Sequence, residues 1–275
     1  MFVITADQIG SRHDRDRAGE MIAQLTAGFG AGYVLPPDQT SGDEIQVMMT
    51  HARTALGTVL ALHRSGYWAI GLGLGPVRTP YPPATRQAAG GAFIAARDAV
   101  SRAKRADSRF ALVVAPAALH GAPRAHTGLP SPGAASPQAV SPQGLLPGDS
   151  VPGAFSPDGD DADEQAGDAS VLEPGVEPGV DPRSGQGELD AHEVEALISL
   201  LLLLRHRRSP EGWEATDLLE QGLPQVEIAG ILGISTAAVS QRVKSALWRA
   251  DEAARPALVR LLGNLDRATS ETDPA

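Results

Sequence analysis

The sequence predicts an α+β domain of ferredoxin-like type over residues 1–114, followed by an all-α domain with a helix-turn-helix over 188–268. Three observations lead there. Strand-like and helix-like stretches alternate in the first part of the chain. A Pro-, Gly- and Asp-rich stretch without periodicity fills 115–187. Apolar residues then recur at helical spacing.

The elements follow in order. Phe2–Ala6 is a short apolar strand, and a polar helix is expected over about His13–Gly28. Tyr33–Leu35 is extended, Pro36-Pro37-Asp38 has turn chemistry, and Ile45–Met49 is a further strand. His51–Arg64 suits a helix with Gly66 as its stop signal. Tyr67–Leu74 reads as a strand, Gly91–Arg105 as a helix and Phe110–Ala115 as a closing strand. The order β-α-β-β-α-β-α-β predicts a mostly antiparallel sheet covered by helices. Residues 115–187 contain the imperfect repeat LEPGVEPGVDPRSG and too little apolar surface to offset chain entropy, so a disordered linker is expected there. Beyond it, Glu193–His206 is a helix. Ser209-Pro210-Glu211 opens the next one, as N-cap, first-turn proline and first-turn acid, and it ends near Gly222. Two short helices and a last one reaching about Leu265 complete the domain, leaving 269–275 as a disordered tail.

Composition narrows the function classes. The 275 residues include no cysteine, which excludes disulfides, thiolate metal sites and cysteine nucleophiles. The start, MFVITADQIG, lacks a basic segment and is interrupted at Asp7, so no secretory signal is expected. The longest apolar block, Leu197–Leu204, runs into Arg205-His206-Arg207-Arg208 and falls short of the roughly 17–25 residues a membrane span needs. A cytoplasmic protein with no membrane partner is expected. The net charge of −10 argues against nucleic-acid binding until it is divided. Residues 1–114 carry +3, 115–187 carry −8 and 188–275 carry −5.

Leu223–Trp248, LPQVEIAGILGISTAAVSQRVKSALW, is the most informative segment. Ile228, Ala229, Ile231 and Leu232 share a helix face, Gly233 permits the positive φ of a tight inter-helix turn, and Ile234 plugs that turn into a core. Ser235 can cap the second helix, whose Val239, Val243 and Leu247 form a buried stripe. Its outer face offers Thr236, Ala237, Ser240, Gln241, Arg242 and Lys244 beside the capping Ser235. From Ser235 to Arg249 there are basic residues and no acidic ones. Such a helix suits the major groove of double-stranded DNA, with Gln or Arg at base edges and Lys, Ser and Thr at phosphates. The bland alternative is an αα-hairpin of a structural or protein-interaction domain. Symmetric operators favour a homodimer, but no heptad marks where it forms.

A second constellation lies in the first domain. Asp7 follows the first strand and Asp43 enters another, so the two carboxylates are expected to face each other across one sheet end. With a backbone carbonyl such as that of Ile9, they make an oxygen-rich site suited to Mg²⁺ holding a phosphate, with Gly10 and Ser11 beside it. Asp and Gly at strand ends are also ordinary turn formers. Glu44 is expected on the opposite face from Asp43, solvated. Gly71, Gly73 and Gly75 recur at period 2, too closely for a dinucleotide fingerprint, and allow a helix or ligand to approach one strand face. Gly90-Gly91 opens a helix whose start favours an anion. Arg97, one to two turns in, reaches either a phosphate or the Asp43–Glu44 acids.

Across both ends the chain resembles the SatD family, through ITADQIGSR, SGDEIQ, IGLGLGPVRT, AAGGAFIAARDAV and LLEQGLPQVEIAGILGISTAAVSQRVKSAL, while the 115–187 insert is longer than that resemblance implies. The C-terminal segment is also similar to MarR-type regulators and to sigma-factor region 4. The N-terminal pieces look like a degenerate class III nucleotidyl cyclase domain, in which Asp7 and Asp43 match metal-binding positions and Arg97 matches an arginine of the pattern. Phe93 stands where that pattern has asparagine, and the lysine ahead of the Gly-Asp pair is missing. The resemblance therefore implies nucleotide or Mg²⁺ binding, with Ser11 and Arg97 on the nucleotide, more than catalysis. The expectation is a DNA-binding transcriptional regulator with a cyclase-like sensory or scaffolding domain. The rivals are a Mg²⁺-dependent nucleotide enzyme with an accessory helical domain, and a protein-interaction adaptor.

Overall fold

A computed structural model of the chain describes residues 1–11, 15–40, 42–116 and 190–271. Five strands form one sheet: β1 (Phe2–Gln8), β2 (Tyr33–Gln39), β3 (Glu44–Met49), β4 (Trp68–Leu74) and β5 (Phe110–Val114), in the order β2-β3-β1-β4-β5. β1 runs antiparallel to β3 and β4, β2 antiparallel to β3, and β4 parallel to β5. Helices α1 (Ala18–Phe29), α2 (Ala52–Ser65) and α3 (Gly91–Ala103) make the crossovers. The element order is the one the sequence predicts, and the mixed sheet with helices is an α+β arrangement.

Strand alternation divides the core. Phe2, Ile4 and Ala6 of β1, Ile45, Val47 and Met49 of β3 and Ile70, Leu72 and Leu74 of β4 face one side and pack with Met21, Leu25, Leu56, Val59 and Leu62 of α1 and α2. The other side carries Val3, Met48, Ala69 and Ala111, against Ala92, Phe93, Ala96, Ala99 and Val100 of α3. The period-2 glycines of β4 exist for α3. A Cβ on Gly71 would lie 2.2 Å from the Val100 nitrogen, and one on Gly73 would lie 2.2 Å from the Ala92 carbonyl oxygen. No side chain fits between strand and helix, so the backbone of α3 rests directly on β4.

Two boundaries in the sheet half differ from the sequence expectation by more than two residues. β2 continues through Pro36-Pro37 to Gln39, because it is an edge strand with register shifts on either side of Leu35, where proline costs no ladder bond. α1 starts at Ala18 rather than near His13: the buried Gln8 amide accepts from the Arg17 N–H at 2.9 Å and donates to the Arg15 carbonyl at 2.8 Å, holding the preceding residues in a loop. His13 itself lies outside the described residues.

The C-terminal helices are α4 (Ala191–His206), α5 (Pro210–Glu220), α6 (Gln225–Leu232), α7 (Thr236–Ser245) and α8 (Trp248–Glu271). α8 passes Leu265 and includes Thr269 and Ser270, whose hydroxyls donate back to the Leu265 and Asp266 carbonyls; of the expected tail, residues 272–275 lie outside the described residues. The expected separation into two domains is revised. Val194, Ile198, Leu201 and Leu202 of α4 and Leu258, Leu262 and Leu265 of α8 belong to the same core as the sheet, and the segments within Met1–His120 and Gly187–Ala275 form one compact unit. Apolar periodicity marks which faces are buried but not which partner buries them. The expected disordered linker at 115–187 falls, beyond Pro116, outside the described residues. Among the described residues no helix is long and apolar enough to cross a membrane.

α4 also closes an open sheet edge. The outer N–H of Leu112 in β5 donates to Glu195 Oε2 at 2.7 Å, the Leu112 carbonyl accepts from Arg102 Nη1 at 3.2 Å, and Arg102 and Glu195 pair at 2.8 Å. Side chains thus satisfy the strand that would otherwise template edge pairing.

The contact between β4 and α3 generates a sharp expectation. Gly73→Ala forces strand and helix apart and lowers stability by about 3 kcal/mol in chemical denaturation. Gly28→Ala in α1, where an added Cβ meets nothing within 4 Å, leaves stability unchanged or raises it.

Candidate functional site

The exposed surface of α7 is built from local rules. Ser209 Oγ accepts the Gly212 N–H at 3.1 Å and Pro210 starts α5. Gly222, at φ 86°, turns the chain toward α6. α6 ends at Gly233 in the left-handed region, φ 64°, and the Ile234 N–H reaches back to the Ala229 carbonyl at 3.1 Å. Ser235 then caps α7 by accepting the Ala238 N–H at 3.1 Å. Ala215, Ile228, Ala229, Val239 and Val243 form a small core of their own beneath these helices, joined by Leu219, Leu232, Ile234 and Trp248.

That core sends one continuous strip of α7 outward, and Leu247, expected in the buried stripe with Val239 and Val243, lies beyond the end of α7 at φ 52° and is 46 % exposed. Ser235, Thr236, Ala237, Ser240, Gln241 and Lys244 are all exposed. Arg242 departs from the expected face: it is half-buried on the α5 side and pairs with Glu214 at 3.2 Å. Alternation at 3.6 residues per turn puts Arg242 at the edge of the strip, and a partner on α5 could not be read from α7 alone. The structure adds Gln225, Leu247 and Arg249, which line a groove of about 380 Å³ alongside Ser240 and Lys244. Arg249 belongs to the acid-free run from Ser235 onward, whereas nothing in the sequence brings Gln225 at the start of α6 to this groove.

Behind α7 lies a buried charge cluster. Asp251 of α8, 2 % exposed, accepts from Arg205, from Arg208 at 2.6 Å and from Arg255 at 2.8 Å. Arg208 also donates to the Ala246 carbonyl at the end of α7, at 2.7 Å. The Arg64, Arg205 and Arg208 guanidinium groups sit 4.5, 4.9 and 4.7 Å from the Trp213 ring centre. Arg64, at the end of α2, grips Asp217 of α5 with two hydrogen bonds of 2.6 and 2.5 Å. The orientation of α7 is therefore fixed from α2, α4, α5 and α8 together. Burial alone would raise the Asp251 carboxyl. The Arg255 hydrogen bond and the charges of Arg205 and Arg255 outweigh it and hold the group at about 2. Beside the cluster, burial first and then the charges of His206 and Arg205 push His63 down to about 4.

The carboxylates of the sheet end are arranged otherwise than expected. The register pairs Asp7 with Glu44, one residue past Asp43. Asp43 lies beside Gln8, whose N–H donates to the Asp43 carbonyl at 3.1 Å, and the Gln8 side chain turns to the opposite face toward α1. Lys104 Nζ sits 2.8 Å from Asp7 Oδ2, where a divalent cation would have to sit, and Glu44 is engaged by Thr40 at 2.7 Å and Gln46 at 3.3 Å rather than solvated. Among the described residues no group of three or more His, Asp or Glu side chains is placed to hold a metal ion. Ser11 lies in the turn after β1. Arg97, two turns along α3 from Lys104, is exposed, pairs with neither Asp43 nor Glu44, and lines a groove of about 650 Å³ with Arg78, Gly90 and Gly91. Asp7 and Asp43 are thus not brought to Arg97.

No family model, curated protein or solved structure matches the chain.

The cluster behind α7 sets the acid limit of the fold. Asp251 and His63 both bind protons less readily folded than unfolded, so each stabilises the fold above its ordinary pKa, 3.8 and 6.5, and that contribution is lost as pH falls toward 2 and 4 respectively. Thermal midpoints fall in two limbs, from about pH 6.5 to 4 and from about 4 to 2. His63→Gln flattens the first limb. Asp251→Asn flattens the second and lowers stability at neutral pH by on the order of 3–5 kcal/mol, because three guanidinium groups lose their counter-charge.

Proposed function

We propose that the chain is a cytoplasmic DNA-binding transcriptional regulator. α6, the Gly233 turn and α7 form its helix-turn-helix, α7 is the recognition helix, and the sheet half is a ferredoxin-like, cyclase-like scaffold. The strip Thr236, Ala237, Ser240, Gln241 and Lys244 carries this reading: it is exposed, free of acid, and lies on the side of α7 away from the buried Val239 and Val243. Gln241 has the two-ended amide that reads adenine, Lys244 a charge for phosphate, and Ser235, Thr236 and Ser240 short hydroxyls for the backbone. The sheet order β2-β3-β1-β4, from two interleaved β-α-β units, supports the ferredoxin-like assignment. The resemblance to the SatD family belongs to the same proposal.

The test uses the full chain, since α4 and α8 share a core with the sheet. Selection from a random pool of duplex DNA yields an enriched motif, and anisotropy on that motif falls steeply with salt. Lys244→Ala weakens binding to all sequences alike and lowers the salt slope by about one. Gln241→Ala relaxes discrimination at one base pair, by about 1–3 kcal/mol. Arg242→Ala has the smallest effect of the three, because Glu214 already holds that side chain. Absence of enrichment at low salt removes the reading.

One observation favours a second reading, a nucleotide-binding sensor. The groove at the start of α3 presents two guanidinium groups, Arg78 and Arg97, beside a bare Gly90-Gly91 backbone. Calorimetric titration with ATP, without added metal, gives a binding heat that Arg97→Ala abolishes; no heat with the unmodified chain eliminates this reading.

A further inference from the structure

We propose that the outer face of α4 is a self-association surface, on which a second copy of this chain docks its own α4 antiparallel about a two-fold axis at Leu200. The inference is independent of the DNA reading and supplies the dimer contact that the sequence does not mark.

Between Leu197 and Leu204, α4 carries apolar side chains on its outer as well as its inner face, which a helix on the surface of a lone chain does not. Its inner face, Val194, Ile198, Leu201 and Leu202, is buried in the sheet core. Its outer face leaves Leu197, Leu200, Leu203 and Leu204 at 44, 59, 37 and 41 % exposure. The other exposed aliphatic side chains do not adjoin: Ile94 stands on α3, Val226 and Ile231 lie five residues apart on different sides of α6, and Leu247 follows α7, whereas these four adjoin on one helix. At 3.6 residues per turn, Glu193, Ala196, Leu197, Leu203, Leu204 and Arg207 all fall within about 60° of Leu200.

Charge chooses the occupant. Glu193 lies seven residues before Leu200 and Arg207 seven after it. In an antiparallel pair centred on Leu200, the Glu193 of each copy meets the Arg207 of the other, Leu197 meets Leu203, and Ala196 meets Leu204, a small side chain against a large one. A parallel pair would set Glu193 against Glu193. Antiparallel packing also aligns the two helix dipoles favourably. Glu193 spends only Oε2, at 3.3 Å, on its capping box with Asp190, and among the described residues Arg207 makes no ion pair. The surface is thus self-complementary, as a two-fold interface requires. A single helix pair lies at the low end of interface sizes, in the class of weak, reversible contacts.

Sedimentation velocity of the full chain over a concentration series tests this. The expected result is a monomer–dimer equilibrium. Leu200→Glu, at an exposed position where each copy meets itself, gives a monomer with unchanged helix content and thermal midpoint. Glu193→Arg alone or Arg207→Glu alone weakens the dimer about tenfold, and the two together restore it. Because the chain has no cysteine, Leu200→Cys provides a unique probe and forms an intermolecular disulfide on mild oxidation, whereas Glu193→Cys does not. A chain that stays monomeric throughout, as it would if its own residues 117–189 covered the leucines, overturns the proposal. So does a dimer that survives Leu200→Glu, or one that the double charge reversal fails to restore.

Discussion

Asp251 is buried against three guanidinium groups, and α4, α5, α7 and α8 all meet at the cluster it forms. A carboxylate this deep is costly on its own, and so is each arginine. The geometry offsets both by letting the two oxygens of Asp251 take Arg205, Arg208 and Arg255 at once. The excess positive charge then drains outward. Arg255 continues to Glu220 at 2.6 Å, and the Trp213 face receives Arg205 and Arg208, whose Nε and Nη1 respectively find no hydrogen-bond acceptor. Because Arg208 also holds the Ala246 carbonyl, the end of α7 is fixed by the same cluster that joins α4 to α8.

This arrangement makes α4 the element that ties the sheet to the C-terminal helices. Its C-terminal end feeds arginines to Asp251, while its N-terminal end satisfies the free edge of β5 through Glu195. Sheet and helices therefore share one core even though β5 and α4 are separated by a long stretch of sequence. A perturbation that loosened the β5 edge would be felt at the cluster, and through it at α7. Such coupling gives a sheet domain a physical route to influence a helix at the other end of the unit, without any separate sensory device.

Legibility in the sequence followed the range of the interactions. Local features could be read directly: the Gly233 turn, the Ser235 and Ser209 caps and the Gly66 stop depend on backbone conformation within a few residues. The glycines of β4 announced a close approach, and the structure shows that the approaching element is a helix. Features set by pairing could not be read. A one-residue offset between β1 and β3 moves Glu44, not Asp43, opposite Asp7, and strand alternation turns such an offset into a change of face. Arg242 looked available because α7 shows only its own periodicity, and its partner Glu214 is on another helix. Arg205 and Arg208 stand in the basic run that ends the apolar block, more than forty residues from Asp251, and only tertiary contact brings the three together.

The same cluster resolves the conflict between an acidic C-terminal segment and a helix proposed to meet phosphate. Five of that segment's acids are committed to arginines, the first being Glu195, which holds Arg102. Glu214 holds Arg242, Asp217 holds Arg64, Glu220 holds Arg255, and Asp251 holds Arg205, Arg208 and Arg255. Each such pair nearly cancels its own field beyond a few ångströms, so what a phosphate at α7 experiences is set by the unpaired charges near it rather than by the formal sum. Lys244 and Arg249 remain outside this network on the exposed surface. What decides whether a nucleic-acid backbone is attracted is the charge left unpaired at the contact, and on α7 that residue of charge is positive although the chain as a whole is not.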